Sequence, residues 1–327
     1  MKKFAFTCGD INGIGPEICI KTFNKVFAPT KVKIYLYIPS NIFEEAAKLV
    51  KPTFDYEIQN KIEEVSELNK LVTIIDLGKV KKTTGSPSKS SGDIAVKSIR
   101  MAFESVIRGK ADALITSPLS KEALELANVK YPGHTEMLAE WSRAKHFTMM
   151  FVSNKMKCAL VTIHDSIKTL SDLISKRNVY STLKTVKDSL VNDFGIRNPK
   201  IAVLGFNPHA GESGRIGMEE EIVIKPVIKS FQDKSFNGPF VPDAFFGNKS
   251  YSEYDMVIGM YHDQVLIPFK MLSFDKGVNY TAGLPIIRTS PDHGTAFDIA
   301  WTNKAKPDSM IEAYKLASKL IDTRKIK

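Results

Sequence analysis

Residues 254–270, YDMVIGMYHDQVLIPFK, are the stretch on which the fold turns. Met256–Met260 is a short apolar run of strand length. It leads straight into His262, Asp263 and Gln264, three polar residues able to do chemistry. In open α/β sheets, ligands lie beyond the carboxyl ends of the strands. A strand with this ending therefore predicts a site at its tip, and other strands ending at the same edge.

Working outward, Lys3–Cys8 reads as a strand and Pro16–Phe27 as a helix, with Pro16 in the first turn and Glu17 at the positive end. Val32–Ile38 and Leu71–Asp76 read as strands, and Asn41–Val50 as a helix capped by Asn41. Lys81–Gly92, KKTTGSPSKSSG, reads as a flexible polar loop, after which Asp93 caps a helix running to Arg108. Ala113–Thr116 is a further strand. This alternation predicts a mostly parallel sheet covered on both faces. Phe147–Ser153 and Lys157–Ile163 break it, because so few residues separate them that they read as a hairpin. The break predicts a second domain or an antiparallel insertion. Lys176–Phe194 then reads as a helix, Ile201–Phe206 as a strand, and Glu219–Phe231 as a helix kinked at Pro226. After Met260 the chain reads as loop-rich to Thr295, with closing helices near Thr295–Trp301 and Asp308–Ile321.

The 327 residues suffice for one large or two medium α/β domains. A hydrophobic share of 43% with 25% charged residues is that of a soluble globular chain. No apolar run approaches the roughly 18 residues of a membrane helix. The opening MKKFAFTCGDING starts like a signal peptide, but its apolar patch breaks at Gly9-Asp10 and reads as a first strand. Three cysteines, Cys8, Cys19 and Cys158, fit packing roles in a reducing, cytoplasmic compartment. The net charge of +10 suits nucleic acid, anionic small molecules or simply a lysine-rich proteome. The lysines form no dense stripe interleaved with aromatics, so neither a nucleic acid nor a membrane is an expected partner.

Five of the six histidines fall in loops: His134 in YPGHTE, His164 ending VTIHD, His209 in GFNPHAGE, His262 in MYHDQ and His293 in SPDHGT. A lone histidine is more often structural than a ligand. Repeated placement after strands is harder to dismiss, because β-α loops at one sheet edge converge. None of the spacings is that of a helical metal motif, so a metal site would be assembled from distant loops. His164, His209 and His262 would make a three-imidazole set with an open position. GDINGIGPE is glycine-rich between a strand and a helix but fits neither G-x-G-x-x-G nor the P-loop, and a tight β-α turn explains it equally well. HAGESGRIG is a second such loop, where Glu212 or Arg215 could meet a ligand. Lys270, Asn279 and Arg288 could bind a carboxylate or phosphate, though each alone could equally be a solvated or capping residue.

Taken together, TCGDINGIGPE (7–17), PGHTE (132–136), IHD (163–165), NPHAGESGRIGMEE (207–220), MYHDQVLIPFK (260–270) and GVNYTAGLPIIRTSPDHGTAFDIA (277–300) resemble the 4-hydroxythreonine-4-phosphate dehydrogenase family of vitamin B6 synthesis. The matching segments span almost the whole chain in the family's order. The resemblance implies an α/β fold of two α/β/α domains with a central cleft, like the isocitrate and isopropylmalate dehydrogenases and without a Rossmann fingerprint. It places a cofactor domain at 1–128 plus 275–327 and a metal, substrate and dimerisation domain at 129–274. It implies oxidation of 4-phosphohydroxy-L-threonine by NAD or NADP with a divalent metal (zinc, magnesium or cobalt), followed by decarboxylation to 3-amino-2-oxopropyl phosphate.

By the same resemblance the metal ligands fall on His164, His209 and His262, and the substrate contacts on His134, Thr135, Lys270, Asn279 and Arg288. His293, Gly294 and Asp298 are the cofactor candidates, and Asp243 and Asp263 the candidate proton acceptors. Asp263 could instead orient its neighbour His262. The resemblance further implies a homodimer with the active site between domains and near the subunit interface, where His262 reaches a metal held by the partner subunit's His164 and the partner subunit's His209. Ile11, Val265 and WTNKAKP (301–307) depart from the family pattern; the last lies near the cofactor loop and leaves NAD against NADP open. Three other readings remain: a dehydrogenase of the same fold acting on another hydroxy acid, a metal-assisted hydrolase, and a cofactor-binding regulatory protein without catalysis, which intact ligands support poorly.

Overall fold

The computed structural model describes residues 1–64 and 71–325. The chain opens with β1 (Lys2–Thr7), α1 (Gly15–Val26), β2 (Val32–Ile38), α2 (Ser40–Val50), β3 (Tyr56–Gln59), β4 (Val72–Asp76), α3 (Lys89–Ile107) and β5 (Ala113–Ile115). Helices α4 (Lys121–Leu126) and α5 (His134–Ser142) follow, then the hairpin β6 (Thr148–Val152) and β7 (Lys157–Leu160). Next come α6 (Leu170–Leu173), α7 (Lys176–Asn192), β8 (Ile201–Leu204), α8 (Lys225–Ser230), β9 (Phe236–Phe240) and α9 (Pro242–Gly247). The chain closes with β10 (Met256–Gly259), α10 (His262–Ser273), β11 (Val278–Ala282), β12 (Ile287–Pro291) and α11 (Asp308–Lys325).

These elements form two compact units. The first takes Met1–Arg143 and Leu284–Asp322; the second takes Ala144–Gly283 and the end of α11 from Thr323. The expected divisions at 128/129 and 274/275 differ from these. Helix α5 stays with the first unit because Trp141 packs on Phe103 of α3, 5.9 Å between rings, and under the Arg100 guanidinium at 4.1 Å. Strand β11 belongs to the second unit because it pairs antiparallel with β6 along its whole length.

The strands of the first unit run in the order β3-β4-β2-β1-β5-β12, and every pairing is parallel. Such strands are covered on both faces and read as continuous apolar runs; all seven residues of β2 are buried. Their carboxyl ends lead into the loops at 8–14, 77–88, 116–120 and 292–301, which therefore share one edge. In the second unit the order is β11-β6-β7-β10-β8-β9. Strand β6 runs antiparallel to β7 and β11, as a hairpin requires, while β7, β10, β8 and β9 are parallel. Val265, Leu266 and Phe269 of α10 seat against Cys158, Leu160 and Val257 in this unit's core.

Several expectations differ from the structure. Residues 261–295 are not loop-rich: they hold α10, β11 and β12. Pro268 lies inside α10; an interior proline costs about 3 kcal/mol, and the buried face of the helix offsets it. Helix α3 starts at Lys89, before Asp93, and its cap is Ser88, whose hydroxyl accepts from Ser91 N in a capping box. Asn41 is no cap, because its side chain clasps both backbone groups of Val80. The polar loop before α3 is clasped as well: Asn12 accepts from Thr83 N and donates to Ser86 O and the Ser88 hydroxyl. Edge strands β3 and β9 have too little apolar content to read as strands.

Replacing Ser88 by alanine removes both the cap and its tie to Asn12. It should lower stability by about 1 kcal/mol, read as a shift of the urea midpoint at unchanged slope; an unmoved midpoint would contradict the cap.

Candidate active site

The second unit carries the three candidate metal histidines at the tips of three neighbouring parallel strands. His164 follows β7, His262 follows β10, and His209 follows β8. The rings of His164 and His262 lie 5.7 Å apart, tilted by 41°. These two therefore meet within one chain. Two imidazoles sharing one tetrahedral ion through bonds of about 2.1 Å also hold their ring centres about 5 to 6 Å apart. Among the described residues no group of three or more His, Cys, Asp or Glu side chains is arranged to hold a metal. His262 Nδ1 is 2.7 Å from Asp263 Oδ1. With Nδ1–H donating to the carboxylate, Nε2 is left to accept from a proton or a metal. This contact suits Asp263 to orienting the His262 ring; Asp243, exposed in the first turn of α9, keeps no such tie.

His209 sits in an unusual backbone. Residues 209–213 all have positive φ: 53° at His209, 50° at Ala210, 75° at Gly211, 43° at Glu212 and 57° at Ser213. Four of the five carry a Cβ, and each left-handed non-glycine residue costs roughly 1–2 kcal/mol. What holds the turn is the buried carboxylate of Glu220. Its Oε1 accepts from Phe206 N and Asn207 N, both at 2.7 Å, and its Oε2 accepts from the Asn207 amide at 2.9 Å. The same Asn207 amide reaches Glu219 at 2.7 Å. A Cβ on Gly217 would lie 2.3 Å from that amide nitrogen, so glycine is required there. Glu220 opens a π-turn, Glu220–Ile224, that runs into α8 and takes the place of the kink expected at Pro226.

Two other expected substrate residues lie in the same unit. Asn279 on β11 has a buried Oδ1 with no hydrogen-bond partner. Lys270, in the last turn of α10, stands 5.7 Å from the ring of Phe274.

The first unit gathers His134, Thr135 and Arg288. Arg288 on β12 is buried and donates through Nε and Nη2 to the Thr116 hydroxyl, at 3.1 and 2.8 Å. Burial lowers its pKa to about 10, opposed by Glu136, so it stays a cation at neutral pH. His134 is held well below the usual histidine range by burial and then by the Arg288 charge, with a hydrogen bond to the Ser117 backbone opposing. Its Nε2 is buried without a partner. His134 also begins α5, whose first turn has no side-chain cap. A helix start without a side-chain cap, a buried arginine and an uncharged imidazole together suit an anion.

The cofactor candidates lie on the loop after β12. Thr295 O accepts from Ile14 N at 3.0 Å, and the Trp301 indole donates to Ile11 O at 3.0 Å. Loop 292–301 is thereby docked on loop 8–14 of the same unit. A Cβ on Gly13 would come within 2.8 Å of Thr295 O, which accounts for that glycine. His293, Gly294 and Asp298 are exposed on this loop. Asp10, whose carboxyl is shifted upward by burial, accepts from Asn12 N and Ser91 Oγ and braces the base of the first loop. Asp10, Asn12 and Glu220 are not singled out by sequence, and Gln264 reads there only as a polar residue at the strand tip; their position inside glycine-rich or histidine-bearing segments is the one local pointer to them.

The family model described as "Pyridoxal phosphate biosynthetic protein PdxA" matches residues 30–317. A 4-hydroxythreonine-4-phosphate dehydrogenase of Sulfurihydrogenibium sp. is 40% identical over 99% of this chain and 100% of its own length. A D-threonate 4-phosphate dehydrogenase of Salmonella typhimurium is 38% identical over 98% of this chain and 99% of its own. The crystal structure of 4-hydroxythreonine-4-phosphate dehydrogenase from Klebsiella pneumoniae superposes with a TM-score of 0.85 at 37% identity, covering 98% of each chain. With the family model, full-length relatives and solved folds in agreement along nearly its whole length, this chain belongs to the PdxA family of pyridoxal phosphate biosynthetic proteins.

Proposed function

We propose that the chain is a dehydrogenase that oxidises 4-phosphohydroxy-L-threonine with NAD or NADP and a divalent metal, the keto acid then losing carbon dioxide on the route to vitamin B6. The observation that carries this reading is the placement of His164, His262 and His209 at the tips of three neighbouring parallel strands, with the first two rings 5.7 Å apart. When bound, the cation would supply Lewis acidity to the substrate hydroxyl and the nicotinamide a hydride acceptor. The protein's own part is positional. In the first unit Arg288, His134, Thr135 and the start of α5 receive an anionic group of the substrate; in the second, Lys270 and Asn279 are the residues read as substrate contacts. Asp263 fixes the tautomer of His262, and Asp243 is the proton acceptor. His293, Gly294 and Asp298 hold the dinucleotide.

A second reading is favoured by the Salmonella relative, which is named for D-threonate 4-phosphate at nearly the same identity. The two substrates differ in the group at C2, an ammonium against a hydroxyl. Purified protein with a divalent metal should reduce NAD or NADP on 4-phosphohydroxy-L-threonine and do so with higher kcat/KM than on D-threonate 4-phosphate. The reverse order would transfer the assignment to the second substrate. Phosphate release without dinucleotide would replace both with a hydrolase.

The homodimer belongs to the same proposal. Helix α10 exposes Ile267 (58%), Met271 (83%) and Phe274 (74%) along one face, and Ile167 is 82% exposed near His164 in sequence. Such a stripe suits an isologous contact. The three cysteines are all buried thiols, consistent with a cytoplasmic enzyme, and no described helix is long and apolar enough to cross a membrane.

Two further outcomes follow from these roles. Met271→Glu should shift the sedimentation coefficient from dimer toward monomer and lower activity in parallel; a wild-type protein that sediments as a monomer at micromolar concentration would end the dimer proposal. The His134 ring should stay neutral where an ordinary histidine titrates, its NMR C2–H signal flat across about pH 6.5. Its folded pKa lies below the unfolded value of about 6.5, so the unfolded chain takes up the proton first. Stability from this residue is then complete above that pH and declines as pH falls below it. A His134 titration near pH 6.5 in the folded protein would contradict the burial argument.

A further inference from the structure

The exit of β8 is gripped from two sides. Glu220 takes the N–H groups of Phe206 and Asn207, at 2.7 Å each. Gln264, in the first turn of α10, donates to the Gly205 carbonyl at 2.7 Å. The other end of the same Gln264 amide accepts from Met260 N, also at 2.7 Å. Three consecutive residues, Gly205, Phe206 and Asn207, are thus fixed by side chains just before the left-handed run that carries His209. Gln264 at the same time fixes Met260, two residues before His262.

Neither side chain is placed to touch a substrate. Glu220 is fully buried, and each of its oxygens is occupied by donors of the 206–207 segment. A carboxylate is suited to this task because it accepts along both oxygens and has no proton to turn against the donors. Glutamine in its place would keep one acceptor and direct an NH2 group at a donor. A right-handed relaxation of residues 209–213 would redirect the His209 imidazole, so the carboxylate that fixes the entry to this turn also fixes the ring.

We propose that Glu220 is the positioning residue for His209, and that Gln264 carries the same hydrogen-bond frame to His262, so that both imidazoles are set before a metal arrives. This rests on the reading of His209 and His262 as metal ligands. The consequence is specific: loss of Glu220 lowers metal affinity through an unsettled loop, with all three histidines still present. Removing an outer partner of a metal ligand lowers affinity roughly 10–100-fold.

The test uses the full-length, metal-free protein with Zn²⁺ alone as the probe, in competition with a chromophoric chelator. Amide hydrogen exchange is followed in peptides covering 205–217. Wild type, His209→Ala, Glu220→Gln and Gln264→Leu are compared, with circular dichroism confirming the fold. Glu220→Gln is expected to bind zinc roughly 10–100-fold more weakly, with faster exchange at Phe206 and Asn207 and an intact circular dichroism spectrum. Gln264→Leu should weaken zinc binding in the same direction. If His209→Ala binds zinc like wild type, the ligand reading itself is wrong. If His209→Ala loses zinc while Glu220→Gln keeps wild-type affinity, the ligand reading stands and the positioning role is overturned. Should Glu220→Gln fail to fold, Glu220→Asp, which keeps the charge but shortens the reach by one methylene, decides by the same two readouts.

Discussion

The parallel pairing of strands is the constraint from which the rest of the architecture follows. Parallel neighbours deliver their carboxyl ends to one edge, and only loops at that edge can bring side chains from remote parts of the chain together. In the first unit this edge gathers the loops after β1, β4, β5 and β12, which clasp one another through Asn12, Thr295 and Trp301. In the second it gathers His164, His209 and His262 after β7, β8 and β10. The antiparallel hairpin β6–β7 supplies the register on which Asn279 of β11 is placed.

The sequence carried the alternation, most strands and the histidine placement because those signals are local. An apolar run ending in a polar residue needs no tertiary information to be noticed. What it concealed depends on packing. Helix α10 passes through Pro268 because its buried side chains outweigh one missing hydrogen bond. Ser88 competes with Asp93 for the start of α3, and only the fold decides between two good caps. Glu220 is least legible of all. In the string GMEE it reads as a surface acid beside another, and nothing local marks it as a fully buried carboxylate. The pairing of His164 with His262 inside one chain is likewise invisible without the strand order.

Electrostatics divides the two units by task. The first holds a buried cation, Arg288, beside an imidazole kept neutral and a helix start, an arrangement suited to an anion. The second holds imidazoles steered by carboxylates, an arrangement suited to a cation. The net charge of +10 adds general attraction for such anions without specifying any.

The left-handed run at 209–213 also bears on how the protein divides stability from flexibility. Glycine would sit at 210, 212 or 213 with less backbone strain, but it would equally allow the turn to unwind. Residues with a Cβ leave the loop few alternative shapes, so its ordering entropy is spent when the chain folds and not when a ligand binds. If His209 is a metal ligand as proposed, Ala210→Gly would relieve backbone strain while loosening the turn that holds the ring. A position at which the more stable residue is the functionally poorer one is where selection for activity and selection for stability part company.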